Sequence, residues 1–206
     1  MTAAHSSATK NGWKTAKVNA ASAVSTPARR MALKTPRSMT ETESYPDREG
    51  VRYGVIDTPT GPISIAADKE SLIEITLGGG PRIDARLTGV GRDAKKQLAE
   101  YLRGKRRVFD LPLLMSAPTF TARVLAEVES IPFGETRSYG EVAELIGSPR
   151  AARAIGQAVG SNPLPIVIPC HRVLAARRKL GGFGGGHDAL DWKRYLLALE
   201  ESDWVE

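Results

Sequence analysis

Cys170 is the only cysteine in a chain of 206 residues, so no disulfide partner exists within the chain. It stands in the run Ile166-Val167-Ile168-Pro169-Cys170-His171-Arg172-Val173, where a thiol is followed directly by an imidazole, the ingredients of a nucleophile and its base. The β-branched run ahead of it reads as a buried strand. Pro169 suits only the first turn of a following helix, which places Cys170 at a helix N-terminus. Free N–H groups and the helix dipole favour an anion there, so the thiol pKa is expected below its free value of about 8.5. Adjacent side chains diverge in regular structure, and a bridging water is the easier route for a proton between Cys170 and His171. The competing reading is packing: free cysteine is among the most buried residue types and usually acts as a small hydrophobe. The flanking prolines and the polar Cys-His-Arg run favour chemistry.

The elements that would position these residues fall into two units. Between Val51 and Leu77 the runs VRYGVID, ISIAAD and SLIEITL alternate with the turn segments Thr58-Pro59-Thr60-Gly61 and Asp68-Lys69-Glu70-Ser71, predicting three antiparallel strands. Gly78-Gly79-Gly80-Pro81 ends the sheet. Ala94, Leu98, Tyr101 and Leu102 predict a helix over 92–103 stopped by Gly104, and VFDLPLL from Val108 reads as a returning strand. This unit shows no obvious chemistry and reads as scaffolding. A second unit opens near Thr119 with a helix marked by Phe120, Val124, Leu125 and Val128. Ser138-Tyr-Gly-Glu141 is a capping box leading a helix that Gly147 stops. Ser148 and Pro149 are placed to start another helix over 150–159, ended by Gly160. Two short helices across a Gly-Ser-Pro turn are a helix-turn-helix pattern.

The formal charge of +6 is unevenly spread. Residues 1–40 carry Lys10, Lys14, Lys17, Arg29, Arg30, Lys34 and Arg37 with no acid, a charge of +7 that leaves −1 for the remaining 166 residues. Nucleic-acid binding must therefore be argued from local clusters such as Arg103-Gly-Lys105-Arg106-Arg107 and Arg177-Arg178-Lys179, which alone read as solvated faces. Residues 1–45 lack apolar periodicity and are expected to be a disordered basic tail. A transit peptide and a true start at Met31 or Met39 stay open beside that reading. No apolar run approaches the roughly 20 residues of a membrane span. One cysteine and three histidines, His5, His171 and His187, argue against a zinc site and for a reducing interior.

The second helix of the pair would be the recognition helix, yet it begins Arg150-Ala151-Ala152-Arg153-Ala154-Ile155-Gly156. Side chains that read base edges are mostly absent. A slim helix with one long arginine suits a narrow minor groove, the arginine entering the base stack. A packed Ala-rich helix is the alternative, since alanine is the best helix former.

The run SYGEVAELIG-SPRAARAIGQAVGSNPLPIVIPCHRVL resembles the core of the O6-alkylguanine-DNA alkyltransferases, also called methylated-DNA–protein-cysteine methyltransferases. QLAEYLRGKRRVFDLPL is similar to the family's N-terminal unit, so the resemblance spans about residues 51–200. It implies an α/β ribonuclease-H-like domain over 46–115 and a mainly α winged-helix domain over 116–203. It further implies a monomer that flips O6-alkylguanine, and O4-alkylthymine, out of double-stranded DNA, with no metal or organic cofactor and no membrane. By motif match Cys170 is the alkyl acceptor, His171 takes its proton through water, and Glu200 orients the histidine. Tyr139 would contact the lesion and Arg153 fill the vacated space, with Ala151, Ala152 and Gly156 against the DNA. Asn162 would hold the turn before the active-site strand, and Phe183 and Gly184 would line the pocket. The loop Gly182-Phe183-Gly184-Gly185-Gly186 lacks the family's usual hydroxyls, which implies more work for backbone N–H groups and room for larger alkyl groups. The thioether product implies a single turnover. The expected location is the cytoplasm, or a nucleus or organelle if the chain is eukaryotic and the tail addresses it there. Two other classes remain: a cysteine hydrolase, and a non-catalytic lesion-sensing relative, against which the presence of Cys170 speaks.

Overall fold

The computed structural model describes residues 50–79, 87–184 and 189–206. The basic tail and His187 lie outside the described residues. Strands β1 (Arg52–Ile56), β2 (Ile63–Ala67) and β3 (Leu72–Leu77) form an antiparallel sheet in sequence order, with Gly54 opposite Ile65 and Ile65 opposite Ile75. The first turn closes through Gly61 N–H to Thr58 O at 3.1 Å, with Gly61 at φ 126°, a conformation that favours glycine. In the second, Asp68 Oδ1 accepts from the N–H groups of Glu70 and Ser71. Helix α1 (Val90–Leu102) lays Ala94, Leu98 and Tyr101 on the sheet, and Gly104 at φ 69° follows its end.

The returning segment from Val108 is not the expected strand. Only Leu113 bridges β3, through Leu72 N–H to Pro112 O and Leu114 N–H to Leu72 O. Pro112 has no N–H to give, so a longer ladder cannot form.

The C-terminal unit comprises α2 (Thr119–Glu129), β4 (Arg137–Ser138), α3 (Tyr139–Leu145), α4 (Ala152–Gly160), β5 (Val173–Leu174) and α5 (Ala189–Leu199). The capping box is present in both directions between Ser138 and Glu141. Helix α3 ends in a Schellman motif, Ser148 N–H to Ala143 O and Gly147 N–H to Glu144 O, with Gly147 at φ 71°. Ser148 does not cap α4 as expected, because that helix starts further along the chain, with Ala151 at its N-cap and no side-chain cap. Pro149 and Arg150 form a turn instead, and α4 begins at Ala152.

One apolar core runs through both units, joining Ile63, Ile65, Leu98 and Tyr101 to Val124, Leu125, Ile155 and Trp192. The backbone crosses the border as well: Ile75 N–H on β3 donates to Pro163 O at 2.9 Å.

Candidate active site around Cys170

The loop ahead of Cys170 is shaped by one amide side chain. Asn162 Oδ1 accepts from Leu164 N–H at 3.0 Å, and Asn162 Nδ2 donates to Ile168 O at 2.8 Å. Between them Ile166 sits at φ 74° and fully buried, a left-handed conformation that costs a β-branched residue about 1–3 kcal/mol and survives only where its surroundings enforce it. The expected strand over 166–168 is therefore a buried turn with a single bridge between Pro165 and Ile168. Pro169 (φ −81°, ψ 64°) closes an inverse γ-turn, Cys170 N–H to Ile168 O at 2.8 Å. Cys170–Arg172 then form one 3₁₀ turn, too short to carry the expected macrodipole.

The thiol pKa moves opposite to expectation. Cys170 is 5% exposed, and burial pushes its thiol up to about 11, a rise only partly opposed by a hydrogen bond from Asn162 and the charge of Lys193. At neutral pH such a thiol is ionised to about one part in ten thousand. A reaction at this sulfur would need a base to take the proton.

The next residue, His171, carries an ionisable ring. It is fully buried, and burial lowers its pKa against the opposing pull of Glu200, so the ring is neutral. Its Nε2 lies 3.0 Å from Glu200 Oε1. An ionised carboxylate only accepts, so Nε2 carries the hydrogen and the lone pair is on Nδ1, which is buried and has no hydrogen-bond partner.

Glu200 follows the last turn of α5 and accepts from several donors. Arg172 clamps it through Nε to Oε2 at 2.8 Å and Nη2 to Oε1 at 2.7 Å. Gly134 N–H reaches Oε2 at 3.3 Å, and the Tyr101 hydroxyl reaches Oε1 at 2.6 Å. Burial would raise the Glu200 pKa, but the hydrogen bonds from His171 and Arg172 hold it far below the usual carboxylate range. The guanidinium is itself held by Ile131 O and lies over the Phe133 ring.

Beside this network the chain after Cys170 returns. Lys193, fully buried on α5, donates to Val173 O at 2.7 Å and Gly182 O at 2.9 Å, and burial pushes its pKa down to about 8. The half-buried Phe183 ring lies 5.9 Å from its ammonium. Tyr139, half-buried at the start of α3, donates to Gly182 O at 3.2 Å, and burial together with Cys170 raises its pKa. A Cβ on Gly184 would meet Gly160 O at 2.6 Å, so only glycine lets this loop pass the end of α4. On α4 itself Ile155, Ala158 and Val159 face the core, while Ala152 and Arg153 are exposed and Ala151 and Gly156 half-exposed. The outward side of α4 thus carries the exposed Ala152 and Arg153, while Ala158 lies in the core and Ala151 packs against it.

Two family models match: "6-O-methylguanine DNA methyltransferase, ribonuclease-like domain" over residues 51–115 and "6-O-methylguanine DNA methyltransferase, DNA binding domain" over 119–202. A methylated-DNA–protein-cysteine methyltransferase of Methanosarcina acetivorans is 40% identical over 156 residues, 73% of this chain and 98% of that protein. The crystal structure of Mycobacterium tuberculosis O6-methylguanine methyltransferase superposes with a TM-score of 0.65 at 40% identity, covering 73% of this chain and 93% of that one. A structure of the same bacterium's OGT in complex with DNA matches equally, at 40% identity and a TM-score of 0.65 over the same shares. The chain belongs to the 6-O-methylguanine DNA methyltransferase family.

The family's layout of a ribonuclease-like unit followed by a DNA-binding unit is the one expected from the sequence. Of the residues expected at a methyltransferase site, Cys170, His171, Asn162 and Glu200 lie in one connected arrangement, with Phe183 and Gly184 on the adjoining loop, Tyr139 at the start of α3 bonded to that loop, and Arg153 exposed on α4. Three others in this site carried no role in the sequence reading: Arg172, Lys193 and Tyr101. Lys193 and Glu200 had a signal, since seven residues is two helical turns and both fall on the face of Leu196 and Leu197. A charged pair on a buried face needs partners. Among the described residues no cluster of His, Cys, Asp and Glu could hold a metal ion, and no helix is long and apolar enough to cross a membrane.

Proposed function

We propose that this chain repairs DNA by moving the alkyl group of O6-alkylguanine, and of O4-alkylthymine, onto Cys170 Sγ, once per molecule. The observation that carries this reading is the neutral, buried His171, its Nε2–H fixed on Glu200 and its Nδ1 open, next to a thiol too basic to ionise alone. As Sγ attacks the alkyl carbon, the S–C bond forms and the C–O6 bond breaks, its electron pair leaving on the guanine. The thiol proton passes through a water to His171 Nδ1, and the guanine gains a proton in turn. Glu200 and its Arg172 counterion stabilise the imidazolium that forms on the way.

Delivery of the lesion is assigned to the C-terminal unit. The slim outward face of α4, Ala151, Ala152 and Gly156, approaches the minor groove of double-stranded DNA, and Arg153 takes the place of the extruded base. Tyr139 and the Phe183–Gly184 loop receive that base beside Cys170. The proposed working form is a monomer in the cytoplasm, with binding that weakens as salt rises. The test is stoichiometry: with excess O6-methylguanine DNA, repaired base plateaus at one equivalent per protein. Continued product formation beyond one equivalent would contradict the reading and favour a turning-over cysteine hydrolase.

A further inference from the structure

We propose that Tyr101, on the N-terminal unit, is a positioning residue for alkyl transfer: its buried hydroxyl pins Glu200 Oε1 where that carboxylate orients the His171 ring. This rests on the reading of Cys170 as acceptor and assigns the sheet unit a part in the reaction.

Tyr101 closes the last turn of α1 and is fully buried. Its ring is wedged between Phe109, at 5.4 Å between centroids, and the edge of Phe133, at 6.1 Å. That wedge fixes the direction of the O–H, which ends 2.6 Å from Glu200 Oε1, 99 residues away in sequence. The same oxygen takes His171 Nε2 at 3.0 Å and Arg172 Nη2 at 2.7 Å. Three donors converge on one carboxylate oxygen that has two lone pairs, so each weakens the hold of the others. Arg172 alone would draw the carboxylate toward its own plane. A donor arriving from the opposite unit fixes Oε1 between guanidinium and imidazole.

A phenylalanine would fill the same space, so the hydroxyl is there for its proton. Burial, and after it the Glu200 carboxylate, push the phenol well above its ordinary pKa, which keeps Tyr101 a donor throughout the working range. Donation draws charge from Oε1 and tempers the basicity that Glu200 lends His171. The charged and titratable groups facing this pair are Arg172, Lys193 and Tyr195, and Cys170 is the residue before His171. Loss of the hydroxyl leaves more charge on Oε1 for His171 and makes the ring easier to protonate.

Two replacements in the full chain test this. Tyr101→Phe removes the donor, and site-specific replacement of Tyr101 by 3-fluorotyrosine keeps the shape and strengthens it. Protonation of His171 is followed by ¹⁵N NMR, where only three histidines contribute, and transfer to Cys170 is followed against pH with free O6-benzylguanine. Tyr101→Phe is expected to raise the His171 midpoint, move the acid limb of the rate profile the same way, and slow transfer several-fold at neutral pH. Fluorotyrosine is expected to lower the midpoint. A rate loss with both midpoints unmoved would reduce Tyr101 to packing and overturn the proposal. Wild-type protein that accepts no benzyl group would instead overturn the alkyltransferase reading, and the NMR midpoints of the two variants would still decide whether Tyr101 governs His171.

Discussion

Strand β2 buries all five of its residues, and among the described residues the polar side chains buried in the sheet unit, Ser64, Ser71 and Gln97, are neutral. The C-terminal unit buries His171, Arg172, Lys193 and Glu200. The first unit is held by apolar area removed from water, which depends little on any single partner. The second holds charges out of water, each tolerable only while its partners stay in place. The contrast shows where the molecule gives up stability to hold charged groups together, and the border between the two is crossed by Ile75 N–H to Pro163 O and by Tyr101 to Glu200.

The strongest way to break this contrast is Glu200→Gln. It leaves the Arg172 guanidinium buried without its counterion and the His171 tautomer unheld. Transfer is expected to fall about a hundredfold or more, and urea unfolding to show a loss of about 3–5 kcal/mol. A variant with wild-type kinetics would show that the buried charges serve only the fold. Ile65→Ala, at a fully buried position in the sheet, is expected to cost a comparable ~3 kcal/mol with the transfer rate per folded molecule unchanged on free O6-benzylguanine. An equal loss of rate would mean that the sheet tunes the site through packing as well.

A smaller effect sharpens the assignment of α4. Arg153→Ala is expected to slow transfer on duplex DNA roughly tenfold, the scale of part of an unstacking energy, with little change on the free base. Equal loss on both substrates would remove Arg153 from base extrusion. The subtlest reading is of the thiol itself: in DNA-free protein, alkylation of Cys170 by iodoacetamide is expected to rise with pH toward a midpoint near 11. The folded thiol, with its pKa raised, stays protonated where an unfolded one, near 8.5, has ionised. A midpoint at or below 8.5 would restore the activated thiolate that the sequence suggested.

That reversal marks the boundary of what the sequence made legible. Strands β1 to β3, their turns, α1, α2 and the Ser138 capping box depend on residues a few positions apart, and local spacing sufficed for them. The apolar run 166–168 is buried, as its composition predicts, but it is a turn and not the expected strand, since β-branched residues fill a buried turn and a buried strand alike. The residue that decides between them is Asn162, whose side chain folds the loop across several positions. The direction of the Cys170 pKa depends on how much protein covers the sulfur, a property of the packed molecule. Arg172 sat in plain view beside His171, yet its partner is Glu200. Tyr101 looked like an ordinary apolar position of an amphipathic helix, since nothing near it hints at a carboxylate 99 residues on.

For alkyl transfer to be the reaction, the sulfur at position 170 must become the final home of the alkyl group. Peptide mass spectrometry after mixing the protein with O6-methylguanine DNA tests this most directly. It is expected to find one added methyl group, on the peptide holding Cys170 and on no other. Lesion lost from the DNA while that peptide keeps its unmodified mass would contradict it.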